Sequence, residues 1–259
     1  MGKLDGRAAM VTGAAQGIGK GIAIEYAKAG ADVALMDLNG ARLQETAKEL
    51  EVLGHRVITY EGDVAEEEAI IAFTNLILDK YGRIDILAHA AGIQRVSTIT
   101  ELDTREWDTV MGVNLRSSFL FCKYVGQKMK EQGSGAIVLI ESCSSKTGEA
   151  NNGAYCASKA GVRLLANSFA LEVAEYGVRV NSVAPSAIDS ELFQRFIRSQ
   201  ASLKGITKEE SLNEYNQGTP LRRIGEPEEV GKLCVFLSSD DAAFITGSSF
   251  NISGGRECH

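Results

Sequence analysis

The chain has only three histidines, His55, His89 and His259, and they do not cluster as the ligands of a zinc ion would. Its five cysteines, Cys122, Cys143, Cys156, Cys234 and Cys258, show no paired metal-ligand spacing, and their odd number fits reduced thiols. No resident metal is expected. Cys143 and Cys156 each sit beside a candidate catalytic side chain, and both are read as small packing residues. No apolar run is long enough to cross a bilayer, and the first residues, Met1-Gly2-Lys3-Leu4-Asp5-Gly6-Arg7, hold no signal-peptide hydrophobic stretch. A cytoplasmic address without a membrane partner is expected. Basic charge is in deficit as well, with 27 Lys and Arg against 34 Asp and Glu and a formal net charge of -7. Nucleic acid and anionic membranes both need a positive surface, so neither is a default partner. Internal repeats, low-complexity tracts and linkers are missing too, which leaves one domain over residues 1–259. With 44% apolar residues, a chain of this length can close a full α/β core.

What is present centres on Ser142 to Lys159. Tyr155 and Lys159 are four residues apart, so on a helix they share a face, one turn from each other. Thirteen residues before Tyr155, Ser142 closes the apolar run Ala136-Ile137-Val138-Leu139-Ile140, which reads as a buried strand. A hydroxyl at a strand end, facing a phenol with an ammonium beneath it, suits proton transfer at an alcohol or carbonyl. The ammonium is expected to favour phenolate and draw the tyrosine pKa down from its usual value of about 10. An ordinary surface helix with a Tyr/Lys pair would show the same spacing, so a second motif has to decide.

That motif opens the chain. The short strand Ala8-Ala9-Met10-Val11 runs into Thr12-Gly13-Ala14-Ala15-Gln16-Gly17-Ile18-Gly19, and a helical pattern follows through Ile22, Ala23, Tyr26 and Ala27. Gly13 permits the tight turn, Gly17 lets backbone approach a pyrophosphate, and Gly19 allows close helix packing. The amides around Gln16 and Ile18, at the helix N-terminus, complete a candidate phosphate cradle. A second strand, Asp32 to Asp37, ends in a carboxylate eighteen residues past Gly19, the place for a group that bonds an adenosine ribose diol. A carboxylate there repels a 2′-phosphate, and positions 14 to 16 hold no Lys or Arg to attract one, so NAD is expected rather than NADP. Arg42 is nearby and is expected on the exposed face of the next helix.

The alternation continues. Residues 41–53 read as a helix, 56–61 as a strand, 66–81 as a helix, and 84–89 as a strand that opens into Ala90-Ala91-Gly92. Residues 103–131 read as largely helical, 178–183 as a sixth strand and 249–252 as a seventh. Strands alternating with helices imply an α/β fold: a Rossmann-like, doubly wound parallel sheet of about seven strands covered on both faces. From 190 to about 218 two short amphipathic helices interrupt the rhythm, carrying Leu192, Phe193, Phe196, Ile197, Leu203, Ile206, Leu212 and Tyr215. Ligands in such folds bind beyond the carboxyl ends of the strands, so this insertion is read as a substrate lid.

Over essentially its whole length the chain resembles the short-chain dehydrogenase/reductases. The matching residues are Thr12 to Gly19, Asp63-Val64, Ala90-Ala91-Gly92, Asn114, Ser142, Tyr155 with Lys159, Pro185 to Ser190, and Ser253-Gly254-Gly255. The resemblance implies that Tyr155 is the general acid/base and that Ser142 holds the substrate oxygen. It implies that Lys159 lowers the tyrosine pKa and binds nicotinamide ribose, and that Asn114 holds a water in a relay through Lys159. It also implies adenine contacts from Asp63 and Val64, cofactor contacts from Ala90, Ala91, Gly92 and Pro185, and a nicotinamide border from Ile188 and Ser190. A homotetramer is the implied assembly. Three departures stand out. His89 and Ala90 replace two asparagines that brace the central sheet, Ser186 replaces a glycine, and Ser253 replaces an aspartate. None removes a reactive group, so activity is expected with stability or cofactor geometry altered.

The substrate is read from the polar loop between Ser142 and Tyr155. Glu141, Ser144, Glu149, Asn151 and Asn152 are poorly suited to a steroid or fatty chain, and Arg95 is placed to meet an anionic group. A polyol, sugar or sugar acid carrying a secondary alcohol fits, with Ser142, Ser144, Arg95 and Glu149 as its contacts. Two other readings stay open. One is an NADPH-linked reductase of 3-oxoacyl carriers or other ketones, against which Asp37 argues. The other is a non-catalytic NAD-sensing or scaffold protein, which would be free to lose Tyr155 or Lys159.

Overall fold

The computed structural model describes residues 2–257, so the calls on Cys258 and His259 lie outside it. Seven parallel strands form one sheet in the order 3-2-1-4-5-6-7. They are β1 (Ala8–Thr12), β2 (Asp32–Asp37), β3 (Val57–Glu61), β4 (Ile86–His89), β5 (Gly135–Ile140), β6 (Val178–Pro185) and β7 (Ser249–Ile252). The connecting helices are α1 (Gly17–Lys28), α2 (Gly40–Glu51), α3 (Glu67–Tyr81), α4 (Thr104–Met111), α5 (Ser117–Gln132), α6 (Gly153–Val173), α7 (Glu191–Lys204), α8 (Lys208–Gln217) and α9 (Pro227–Ser238).

Successive side chains of a strand point to opposite faces, and both faces here are covered. In β1, Ala9 and Val11 enter a core built with Ile22 and Tyr26 of α1, while Met10 joins the opposite core with Ile70 and Phe73 of α3. That division makes every residue of β1 buried and explains its unbroken apolar run. On α3, Ile70, Phe73 and Ile77 recur at helical spacing and are fully buried, each worth roughly 1.5–3 kcal/mol by area. Local chemistry sets the helix ends. Asn39 caps α2 by accepting from the Arg42 amide at 3.1 Å, and glycines with left-handed backbone, Gly82 and Gly133, stop α3 and α5.

The helical stretch expected over 103–131 is interrupted. Between α4 and α5 the backbone widens into a π-helical turn, Gly112–Arg116, with Asn114 at its centre. Such turns commonly mark functional positions, and no periodicity in the side chains announces this one. Strand boundaries shift slightly: β3 begins at Val57, β4 at Ile86, and β6 continues to Pro185. The insertion at 190–218 is α7 and α8, hinged at Gly205, and its Phe193 and Ile197 pack with Phe196, Leu212 and Tyr215 in a third, smaller core. Strand order reverses between β1 and β4, which opens a crevice above their carboxyl ends. No helix among the described residues is long and apolar enough to cross a membrane.

Candidate active site

A cleft of about 950 Å³ lies over that crevice. All the sequence-derived candidates line it except Asn114, which sits behind Gly92. At its floor the turn after β1 requires glycine. Gly13 has φ +68, and a Cβ there would come within 2.9 Å of the Ala91 backbone. Gly19 is excluded from carrying a side chain because a Cβ would stand 2.1 Å from the Gly13 carbonyl oxygen. Gln16, the N-cap of α1, makes no side-chain cap, so the first-turn amides stay open toward the cleft. Two backbone amides orient Asp37: Ala15 donates to one carboxylate oxygen at 3.0 Å and Asn39 to the other at 2.9 Å. Open amides, a cradle that a Cβ would fill and a fixed carboxylate together fit the pyrophosphate and adenosine ribose of a dinucleotide. Asp63 is held by accepting from the Ala65 amide at 2.8 Å, and Val64 is buried beside it.

Arg42 is exposed, as expected, yet its guanidinium does not point away. It donates to the side-chain amide oxygen Oε1 of Gln16 and, at 3.0 Å, to Glu191 at the start of α7. The α7 start and the glycine turn are thereby linked through α2.

At the other end, Tyr155 and Lys159 share the buried face of α6. Burial pushes the Tyr155 phenol up to about 12, opposed by a hydrogen bond with Ser142 and reinforced by the charge of Glu149. Burial likewise lowers Lys159 to about 8, opposed by the Glu141 carboxylate. The expectation that the ammonium draws the phenol down is therefore corrected for the protein alone. Desolvation penalises both charged forms, and Lys159 Nζ, 5.8 Å from the ring centroid, spends a proton on the Ile140 carbonyl at 2.8 Å.

Asn114 is fully engaged. Its Oδ1 accepts from the Ile93 amide at 2.8 Å, and its Nδ2 donates to the Ile93 carbonyl and to Ser158 Oγ, both at 2.9 Å. Ser190 caps α7 by accepting from the Phe193 amide at 3.2 Å, and Ile188 is buried beside it. Pro185 ends β6 at the cleft wall.

The polar loop forms a connected wall. Ser144 Oγ donates to Glu149 Oε1 at 2.8 Å, Asn152 Nδ2 donates to Glu149 Oε2 at 2.7 Å, and Gln94 Nε2 donates to Asn152 Oδ1 at 2.9 Å. Asn151 carries a left-handed φ of 62 to make this turn. Arg95 lines the cleft, but its guanidinium is paired with Glu106 of α4, so its charge is already partly answered. Sequence reading missed Gln94 and Arg256. The Arg256 guanidinium lies 3.8 Å from the Tyr215 ring centroid and holds the carboxyl-terminal stretch against α8. Nothing in its local sequence signals a contact with a residue 41 positions earlier.

Comparison with known proteins agrees with this geometry. A family model described as enoyl-(acyl carrier protein) reductase matches residues 13–257. The D-threitol dehydrogenase of Mycolicibacterium smegmatis is 37% identical over 258 residues, covering 98% of this chain and 94% of its own. The 3-oxoacyl-[acyl-carrier-protein] reductase of Thermotoga maritima is 34% identical, covering 98% of each. The crystal structure of an NAD+-bound xylitol dehydrogenase superposes with a TM-score of 0.94 at 29% identity, covering 98% of this chain and 100% of that one.

Proposed function

The chain belongs to the short-chain dehydrogenase/reductase family, oxidoreductases acting on alcohol and ketone groups, and on that premise we propose that it interconverts a secondary alcohol and its ketone on a polyol, sugar or sugar acid, with NAD as coenzyme. The observation that carries this reading is the placement of Tyr155, Ser142 and Lys159 at one end of the cleft whose other end holds the glycine cradle and Asp37. When bound, the nicotinamide supplies hydride acceptance or donation. The chain's own residues do the rest. Gly13, Gln16, Gly17, Ile18 and Gly19 seat the pyrophosphate, and Asp37 receives the ribose hydroxyls. Asp63, Val64, Ala90, Ala91 and Gly92 flank the adenosine side, and Pro185, Ile188 and Ser190 wall the nicotinamide side. Tyr155 accepts the hydroxyl proton in oxidation, Ser142 orients the substrate oxygen, and Lys159 contributes positive charge beside the developing phenolate, with Asn114 bracing the backbone behind it.

Ser144, Glu149 and Gln94, which line the cleft with the buried Asn152 behind them, support a substrate rich in hydroxyls, since each is a hydrogen-bonding group. Arg95 at the rim favours an acid end where one is present. The α7–α8 insertion acts as the lid over this end, within a single catalytic domain. The thiols of Cys122, Cys143, Cys156 and Cys234 are unpaired, which supports a reducing, cytoplasmic setting. A homotetramer is the assembly we propose.

The test is fluorescence titration with NADH and NADPH, followed by an oxidation screen of polyols, sugar acids and hydrophobic alcohols. Tighter NADH binding with a polyol or sugar-acid hit is expected. Preference for NADPH together with turnover of 3-oxoacyl thioesters would overturn the reading in favour of a carrier-linked reductase. Tyr155→Phe is expected to abolish turnover and spare NADH binding.

A further inference from the structure

The cationic side chains lining the cleft are Arg95, Lys159 and Arg256, and their charges are spent differently. Arg95 is paired with Glu106 of α4. Lys159 is buried, with its ammonium on the Ile140 carbonyl at 2.8 Å. Arg256 forms no ion pair among the described residues. Its side chain donates a single long hydrogen bond there, from Nη1 to the Tyr215 carbonyl at 3.4 Å. Nε and Nη2 donate to no described residue, so one edge of the guanidinium is unspent.

The local sequence explains how Arg256 comes to lie there. Gly254 and Gly255 have φ of 62 and 88, and they fold the chain end back along the segment that follows α8. A Cβ on Gly254 would lie 2.9 Å from Thr219 Cγ2, and one on Gly255 would lie 3.0 Å from Pro220 Cγ. Leu221 closes this turn by donating its amide to the Gly254 carbonyl at 3.1 Å. The guanidinium then rests over the Tyr215 ring, 3.8 Å from its centroid, and a Cβ on Gly218 would stand 3.2 Å from Nη1. Tyr215 is itself packed edge-on against Phe193 at 5.1 Å and Phe196 at 6.4 Å, and all three rings line the cleft. An arginine held over an aromatic ring keeps its N–H groups in the guanidinium plane, available at the edge.

We propose that Arg256 is the anion anchor of the substrate site, its Nε and Nη2 edge taking the carboxylate of a sugar acid through two parallel hydrogen bonds. The proposal rests on the alcohol-oxidation reading above and narrows its substrate class to the acid. The fork of a guanidinium edge matches the two oxygens of a carboxylate, and charge on both partners makes such bonds about twice as strong as neutral ones. A polyol offers a neutral hydroxyl at the same place and gains less. Glu149 and Glu257 also line the cleft, so a carboxylate entering without Arg256 would meet charge of its own sign. Arg95, already answered by Glu106, is the weaker anchor of the two.

The test uses the full-length protein and matched pairs that differ only in an acid or alcohol end: threonate with threitol, xylonate with xylitol, gluconate with glucitol. Oxidation with NAD is measured for the wild type, Arg256→Met, Arg256→Lys and Arg95→Ala. The wild type should favour the acid of at least one pair in kcat/KM. Arg256→Met should lower kcat/KM on that acid by roughly ten- to hundredfold, through KM, and far less on the matching polyol. Arg256→Lys should keep part of the preference, Arg95→Ala should lose less of it than Arg256→Met, and added methylguanidinium should restore activity to Arg256→Met. Equal losses on acid and polyol would overturn the proposal and leave Arg256 as a strut for the chain end. A larger loss in Arg95→Ala would overturn it as well. A wild type that oxidises polyols and favours no acid would also sink the anchor, with the alcohol-oxidation reading left standing. Should neither member of any pair be oxidised, the substrate reading fails and calorimetric titration of the three acids, in the presence of NAD, decides the anchor. Binding to the wild type that weakens in Arg256→Met supports it; equal binding, or none, overturns it.

Discussion

His89 accepts a hydrogen bond from Thr12 at its Nδ1, over 2.7 Å, and the direction follows from the neighbours. The Thr12 oxygen receives the amides of Ala90 at 3.2 Å and Ala91 at 3.3 Å, so its own proton must go to the imidazole. Ser117 donates to the Val113 carbonyl at 2.5 Å, so His89 Nε2–H must donate to Ser117 Oγ, at 2.8 Å. The ring also lies 4.7 Å from the Phe121 centroid. One neutral tautomer thus ties the glycine turn and the Ala90-Ala91 loop to the π-helical turn that carries Asn114. The resemblance assigned this bracing to asparagines; here a histidine does it.

Replacing His89 with Phe should leave two buried hydroxyls without their partner, costing roughly 2–6 kcal/mol at about 1–3 each. Urea unfolding followed by circular dichroism measures this. His89→Asn, which keeps polar atoms at the site, should lose less. Burial, with the charge of Lys159 adding to it, lowers the His89 pKa to about 3. The unfolded state then binds a proton that the folded state refuses, so stability should fall as pH drops from about 6.5 toward 3, by about 1.4 kcal/mol per unit. Above about 6.5 this contribution is complete, and in the His89→Phe protein the slope should be reduced.

Asp37→Ala should weaken NADH binding by roughly tenfold, the loss of one charge-assisted hydrogen bond. NADPH should suffer no such loss, because the repelling carboxylate is gone and Arg42 remains close by. Fluorescence titration of both coenzymes on both proteins gives the ratio. An unchanged NADH-to-NADPH preference would place the ribose elsewhere.

Glu141 is buried at the end of β5 and accepts from Ser182 and Ser249, each at 2.6 Å, and from Ser145. Its carboxylate also supports the charge on Lys159. Glu141→Gln should therefore lower the Lys159 pKa further below about 8 and cost roughly 1–3 kcal/mol through the disturbed serine donors. The pH dependence of turnover and the unfolding midpoint read the two effects separately.

Leu164 and Leu171 stand exposed on one face of α6, and Arg163 Nε and Asn167 Oδ1 on the same helix are buried without a partner among the described residues. A second copy packed on this helix would cover the leucines and could supply both polar partners. Light scattering should give a multiple of 27.8 kDa, and Leu171→Asp should lower it. A monomer in the unaltered protein would refute this.

The sequence by itself determined whatever depends on near neighbours along the chain. Continuous apolar runs specified strands buried on both faces, glycines at 13, 17 and 19 specified a turn with no room for side chains, and a four-residue spacing put Tyr155 and Lys159 on one face. These follow from backbone sterics and helical period, which act over a few residues. Only the tertiary structure decided how distant residues combine. It turned Arg42 to Glu191, paired Arg95 with Glu106, seated Arg256 on Tyr215, and aligned Thr12, His89 and Ser117 into one hydrogen-bonded row. It also decided the ionisation of Tyr155 and Lys159, because desolvation depends on how deeply packing buries a group, and spacing along the chain carries no record of that depth.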